Sequence, residues 1–300
     1  MKLLIIGGSG LIGSHLLPAA RSAGHAALGT FRQFASPGLL AFDAADPAAA
    51  AALVETHSPH AVLYAAGWTW VDGCEDDPAR ALAENASQPA HLARLCADRG
   101  IHFTYLSTSY VFDGRHGPYA ETAEPHPINA YGQSKWQGET RIQAVTQNKA
   151  LIARVICVYG AERQQKNFAC QVLRAMREGR SLSVPCDQRG NPTCAGDLAR
   201  GLVALVEQRQ SGICHLAGPK PDCDRVEWAR MLVAAFTAAG IEPHAQFGIV
   251  PVSTEQLGQR APRPLHAGLV STRRMASQMP VTDFDKSVRD MLAELGRLPS

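Results

Sequence analysis

The apolar run Leu3-Leu-Ile-Ile6 ends in Gly7-Gly-Ser-Gly10-Leu-Ile-Gly13, and a helix-like stretch, residues 11–22, follows it despite Pro18. A strand that turns through glycines straight into a helix restricts the chain severely. Gly7 permits a tight turn, and Gly10 lets backbone approach a pyrophosphate that the helix N-terminus then stabilises. With Leu11, Ile12 and Gly13 these residues form a candidate dinucleotide-binding turn.

The rest of the first half keeps the same rhythm. Strands are expected at residues 2–7, 26–31, 61–66, 102–107 and 150–158, and helices at 11–22, 47–56, 78–99 with a kink at Pro89, and 130–147. Strands alternating with helices imply parallel pairing with right-handed crossovers. The expected fold class is therefore α/β, a Rossmann-type doubly wound parallel sheet. After Gly160 the rhythm changes. Helices are expected at 167–177, 197–207, 226–239 and 288–295, strands at 181–185 and 213–216, and an irregular, proline-rich stretch at 243–279. We read a smaller mixed α/β substrate lobe on the C-terminal side, over the sheet edge where such folds bind ligands. The dinucleotide-binding domain spans 1–158, with 190–218 returning to it; 159–189 and 219–300 form the lobe.

Composition excludes several classes. The 300 residues are 46% apolar and 19% charged, with net charge +2, so no electrostatic footprint for nucleic acid or membrane is present. No apolar run approaches the ~20 residues that span a bilayer. The start reads as a first strand rather than a signal peptide. Eight cysteines without a Cys-x-x-Cys pair read as reduced thiols of a cytoplasmic protein, and 11 histidines without ligand spacing give no metal site. The chain is expected to act as a monomer or homodimer.

At the end of the second strand, Gly29-Thr-Phe-Arg32 lacks the acid that would bind an adenosine ribose. Arg32 can instead fork onto a 2′-phosphate, which favours NADPH while leaving NADH possible; the other reading is a solvated surface arginine. Asp43 is either an acceptor for the adenine amino group or a plain loop aspartate. Ala65, Ala66 and Gly67 offer small residues where a cofactor passes close to backbone. Tyr131 and Lys135, four residues apart on one helix face, point into one pocket. A nearby ammonium moves a phenol toward working pH, and Lys135 can also bond the nicotinamide ribose. Thr108, just past a strand, can orient a substrate oxygen. Thr108, Tyr131 and Lys135 are thus the candidate catalytic set. Asn85 either holds a relay water near the cofactor or bonds to backbone.

Beyond these residues, the sequence resembles the dTDP-4-dehydrorhamnose reductase family of extended short-chain dehydrogenases, of which the Gly-x-x-Gly-x-x-Gly spacing is typical. The resemblance rests on Ser107-Thr-Ser-Tyr-Val-Phe-Asp-Gly114, Tyr131-Gly-x-Ser-Lys-x-x-Gly-Glu139, Ala65-Ala-Gly-Trp-Thr-Trp-Val-Asp72 and Asp187-Gln-Arg-Gly-Asn-Pro-Thr193. It implies NADPH-dependent reduction of the 4-keto group of a nucleotide-linked deoxysugar, with Thr108, Tyr131 and Lys135 as the catalytic triad. Three positions depart from the family. Ser109 replaces an aspartate, Cys157 replaces a tryptophan that can stack on the sugar, and His15 stands where some members carry a magnesium-binding acid. A changed or smaller substrate and no magnesium site follow. Trp68 and Trp70 line the pocket mouth or pack under a loop, Tyr110 touches the sugar or its diphosphate, Asn167 contacts the nucleotide, and Arg263 pairs with a phosphate or lies at the surface. Two alternatives share the fold: a nucleotide-sugar epimerase or dehydratase, and a non-catalytic NADP-binding subunit resembling the regulatory subunit of methionine adenosyltransferase.

Overall fold

The computed structural model describes residues 1–273 and 279–298. Residues 274–278, within the stretch expected to be irregular, lie outside the described residues. The elements in chain order are β1 (Lys2–Ile6), α1 (Leu11–Ser22), β2 (Ala26–Phe31), β3 (Leu39–Ala41), α2 (Pro47–His57), β4 (Ala61–Tyr64), α3 (Val71–Asp76), α4 (Pro78–Leu82), a π-helical turn (Ala83–Ser87) and α5 (Gln88–Asp98). Then come β5 (His102–Thr108), a 3₁₀ turn (Ser109–Val111), α6 (Ala130–Val145), β6 (Leu151–Val155) and β7 (Val158–Tyr159). The C-terminal part holds α7 (Phe168–Glu178), β8 (Ser181–Pro185), β9 (Arg189–Gly190), β10 (Thr193–Cys194), α8 (Ala195–Glu207), β11 (Gly212–Leu216), β12 (Cys223–Asp224), α9 (Arg225–Ala238), β13 (Gly248–Val252) and α10 (Phe284–Leu295).

Seven strands form one parallel sheet in the order β11-β6-β5-β4-β1-β2-β3. The central strands are continuous apolar runs because helices cover both faces. Leu16 and Leu17 of α1 pack with Leu198, Leu202 and Leu205 of α8 on one face. Val54 of α2, Leu92 and Cys96 of α5 and Ile142 of α6 cover the other. The order in which strands are added to the sheet reverses between β1 and β4, which opens a crevice at their carboxyl ends, where ligands of doubly wound sheets bind. A separate apolar cluster holds α7, α9 and α10 together through Met176, Trp228, Phe236, Val288 and Met291.

Several elements differ from the sequence expectation, each for a physical reason. The expected helix 78–99 is three pieces, because Pro89 has no N–H to give the Asn85 carbonyl four residues back. The backbone widens into the π turn just before it, and the Tyr105 hydroxyl donates to that carbonyl instead. The expected strand 150–158 breaks at Cys157, whose φ of +47° cannot continue a strand, so β7 pairs separately with β10. β3 and α3 were not expected; β3 is three residues long and its partner β2 defines it. β13, inside the stretch expected to be irregular, pairs in parallel with β8. α10 begins four residues before the expected 288, where Asp283 caps it by accepting from the Lys286 amide.

Candidate active site

The turn after β1 has the geometry a dinucleotide needs. Gly7 adopts φ +85°, and a Cβ there would lie 2.8 Å from the Ala66 amide nitrogen. A Cβ on Gly13 would lie 2.1 Å from the Gly7 carbonyl oxygen, so α1 meets the turn closer than any side chain allows. The first turn of α1 has no side-chain cap and no acid, which leaves its positive end suited to an anion. Gly7, Gly10, Leu11 and Ile12 line a cavity of about 980 Å³. Arg32, Ala65, Ala66, Gly67, Trp68 and Asn167 line it as well. Size, a glycine cradle and an uncapped helix end fit a dinucleotide.

The Thr/Tyr/Lys set adjoins this cavity through Lys135, beside Gly67, and does not itself form part of the cavity's lining. Thr108 is the last residue of β5; its hydroxyl oxygen accepts from the Tyr110 amide at 3.2 Å, and the hydroxyl also hydrogen-bonds the Tyr131 phenol. Asn129 caps α6 by accepting from the Gly132 amide, and its side-chain amide donates to the Pro262 carbonyl at 2.8 Å. The cap anchors the helix start to the C-terminal part and fixes Tyr131 and Lys135 in the first two turns. Lys135 Nζ donates to the Leu106 carbonyl at 2.6 Å and lies 4.0 Å from the centroid of the Tyr105 ring. It also lies 4.0 Å from where a Gly67 Cβ would be, which places the amine against the cavity wall. The Tyr110 ring meets Tyr131 edge-on, with centroids 5.6 Å apart.

Electrostatics here differ from the sequence expectation. Burial holds the Tyr131 phenol above its ordinary range, and the neighbouring Thr108 hydroxyl opposes this only in part. Burial pushes the Lys135 amine down to about 7, against the pull of Glu139 one turn along. Burial acts on both groups, favouring the neutral phenol and the neutral amine. Tyr131 is therefore held as a proton donor. Glu139 is itself buried, with Arg154 Nη2 at 2.6 Å and the Ser107 hydroxyl donating to it.

Other predicted residues take different places. Asn85 is behind the cavity: its amide donates to the Trp68 carbonyl and to Ser134 Oγ, and its oxygen accepts from the Trp68 amide, so it braces that loop. Asp43 accepts from the Ala45 amide and lines an adjoining groove beside Arg32. Asn167 lines the cavity, but its side chain caps α7 and bonds Gly160 and Glu162. Arg263 is buried in an ion pair with Asp72 at 2.9 Å rather than open to a phosphate. Trp68 lies under the Arg80 guanidinium at 4.1 Å, whereas Trp70 is 61% exposed. Cys157 packs against Gly190, Ser109 is fully buried, and His15 bonds the Ala161 carbonyl at 3.0 Å. Sequence reasoning missed Glu84, which lines the cavity and pairs with both Arg32 and Arg80. The Arg80/Glu84 spacing of four on a helix was the available signal.

A parallel doubly wound sheet with a glycine-cradled cavity and a Thr/Tyr-x-x-x-Lys set beside it defines a dehydrogenase/reductase of the extended short-chain type. Residues 1–297 match the model of the RmlD substrate binding domain, and the chain belongs to that family. It is 34% identical to dTDP-4-dehydrorhamnose reductase of Mycobacterium tuberculosis over 97% of this chain and 92% of that protein. It is 36% identical to a probable low-salt glycan biosynthesis reductase of Haloferax volcanii, over 72% of this chain and 74% of that one. Among solved structures, dTDP-4-dehydrorhamnose reductase of Bacillus anthracis in complex with NADP superposes with a TM-score of 0.85 at 25% identity, covering 98% of this chain and 99% of that one.

Proposed function

We propose that the protein reduces the 4-keto group of a nucleotide-linked deoxysugar with NADPH. The observation that carries this reading is the glycine-cradled, dinucleotide-sized cavity with Lys135 against its Gly67 wall and with Tyr131 hydrogen-bonded to Thr108 on the same side of the fold as Lys135. The cavity would hold NADPH, which when bound would supply a hydride for the carbonyl carbon. Tyr131, kept protonated by burial, gives its proton to the carbonyl oxygen. The Thr108 hydroxyl, hydrogen-bonded beside the Tyr131 phenol, orients that oxygen. Lys135, whose amine titrates near neutral pH, bonds the nicotinamide ribose and returns a proton to the phenolate left on Tyr131. Gly7, Gly10, Leu11, Ile12, Gly13 and Arg32 hold the dinucleotide, and Tyr110 and Trp68 face the sugar. In the same reading residues 1–158 and 190–218 bind cofactor, and 159–189 with 219–300 bind the sugar nucleotide. Among the described residues no helix is long and apolar enough to cross a membrane. All eight cysteines are unpaired thiols, which supports a reducing compartment, the cytoplasm.

The test is loss of NADPH absorbance with a dTDP-4-keto-6-deoxysugar. Tyr131→Phe should slow turnover by roughly 10²–10⁴-fold while NADPH still binds. Normal turnover in that variant would sink the assigned chemistry.

A further inference from the structure

One carboxylate in the cavity is claimed by two arginines. Glu84, on the π turn, is only 8% exposed. Its Oε2 accepts from Arg32 Nη2 at 2.9 Å, and its Oε1 accepts from Arg80 Nε at 2.8 Å. All three side chains line the cavity. Arg80 is pinned by its position over the Trp68 ring, 4.1 Å from the centroid. Arg32 directly follows β2 at the cavity rim, has no ring beneath it among the described residues, and also feels the carboxylate of Asp43. The end of this strand is where a fold of this type reads the adenosine ribose.

Counting charge decides what the site can distinguish. Around Arg32 stand two carboxylates, Glu84 and Asp43; over the whole cavity Arg32, Arg80 and Lys166 are balanced by these two and Glu162, and the sum is zero. A 2′-phosphate brings about −1.5 to −2. To fork onto it, Arg32 must give up Glu84, and the phosphate still meets both carboxylates. A ribose with a plain 2′-hydroxyl demands no such exchange, because it leaves the Arg32–Glu84 pair in place. Arg80 makes the exchange feasible, since it keeps the buried carboxylate partnered when Arg32 turns away.

We infer that Glu84 is a specificity-determining residue that competes with the cofactor's 2′-phosphate for Arg32, and so keeps the preference for NADPH over NADH shallow. The inference rests on the reading of this cavity as the dinucleotide site. A role for Glu84 in folding alone would move the affinities for both dinucleotides together; competition for Arg32 moves only one.

The experiment is titration of NADPH and NADH into the full-length protein, by calorimetry, for wild type, Glu84→Gln, Arg32→Ala and the double variant. Wild type should bind the two dinucleotides within about tenfold of each other. Glu84→Gln should tighten NADPH by on the order of tenfold and leave NADH unchanged, and the gain should vanish in the Arg32→Ala background. An unchanged NADPH/NADH ratio in Glu84→Gln, or a gain that survives without Arg32, would overturn the inference and leave the reductase reading intact. A wild-type preference for NADPH well beyond about a hundredfold would overturn it without recourse to any variant. Failure of wild type to bind either dinucleotide would remove both the inference and the reading of the cavity.

Discussion

At the residue scale, Lys135 shows how burial and chemistry are coupled. Its ammonium makes one short hydrogen bond, to Leu106, and sits over an aromatic ring, with Glu139 as the carboxylate acting on it from one turn along. Desolvation wins, and the amine titrates near 7 in place of its ordinary 10.5. The unfolded chain keeps that proton up to its ordinary pKa, whereas the folded chain has released it above about 7. Between those values the unfolded state binds more protons, so this residue makes stability rise with pH; below about 7 its contribution is flat. Lys135→Met removes the titrating group while keeping an unbranched apolar stem. The expected result is a wild-type melting temperature that gains on the variant's as pH goes from 7 to 9. Parallel melting curves across that range would show that the amine is not depressed.

At the element scale, the π turn before α5 hands one of its carbonyls to a side-chain donor. Pro89 cannot serve the Asn85 carbonyl, and the buried Tyr105 hydroxyl takes over that duty from the neighbouring strand. Gly138 of α6 packs against the same spot, where a Cβ would lie 2.4 Å from the Asn85 oxygen, so a replacement water has little room. Tyr105→Phe keeps the ring under Lys135 and orphans only the carbonyl. It should cost about 1–3 kcal/mol, read from urea unfolding, with little effect on dinucleotide binding. A cost below about 0.5 kcal/mol would mean that the carbonyl is satisfied otherwise. The same turn marks where local sequence signals stop being informative. Proline, glycine and apolar spacing made the kink near residue 89, the turn at 7–13 and the Tyr131/Lys135 face readable, because each depends on neighbours within a few residues. The widening at Ala83–Ser87 depends on Tyr105, and the pairing of Arg32 with Glu84 spans 52 positions. Nothing local announces either contact. Arg263 failed as an open phosphate ligand for the same reason: its partner, Asp72, lies 191 residues away.

At the scale of the whole molecule, the C-terminal segment is stitched to the sheet edge by a clasp that acid should open. The Tyr119 amide donates to the Gly268 carbonyl and the Val270 amide to the Tyr119 carbonyl. Next to them the Glu121 carboxylate accepts from the His215 amide of β11, the Thr272 amide and the hydroxyls of Ser271 and Thr272. Partial burial pushes the Glu121 carboxyl up, but these hydrogen bonds outweigh it and draw the group down to about 2. The unfolded chain takes up a proton near 4.5, so the stabilisation is complete above that pH and fades as pH falls toward 2. His215 acts in the same direction and begins earlier. Burial first, and then Arg154, hold its imidazole below 6.5, so the unfolded state gains a proton that the folded clasp resists. Two groups on one seam thus make acid loosen the attachment of the C-terminal segment to the sheet. Glu121→Gln isolates the carboxylate: it should be less stable than wild type at pH 7, and the gap should narrow between pH 4.5 and 2 as wild type loses its charge. Melting temperatures of both proteins across that range decide the matter. A gap that stays constant with pH would mean that the charge contributes nothing and that the clasp rests on its neutral hydrogen bonds.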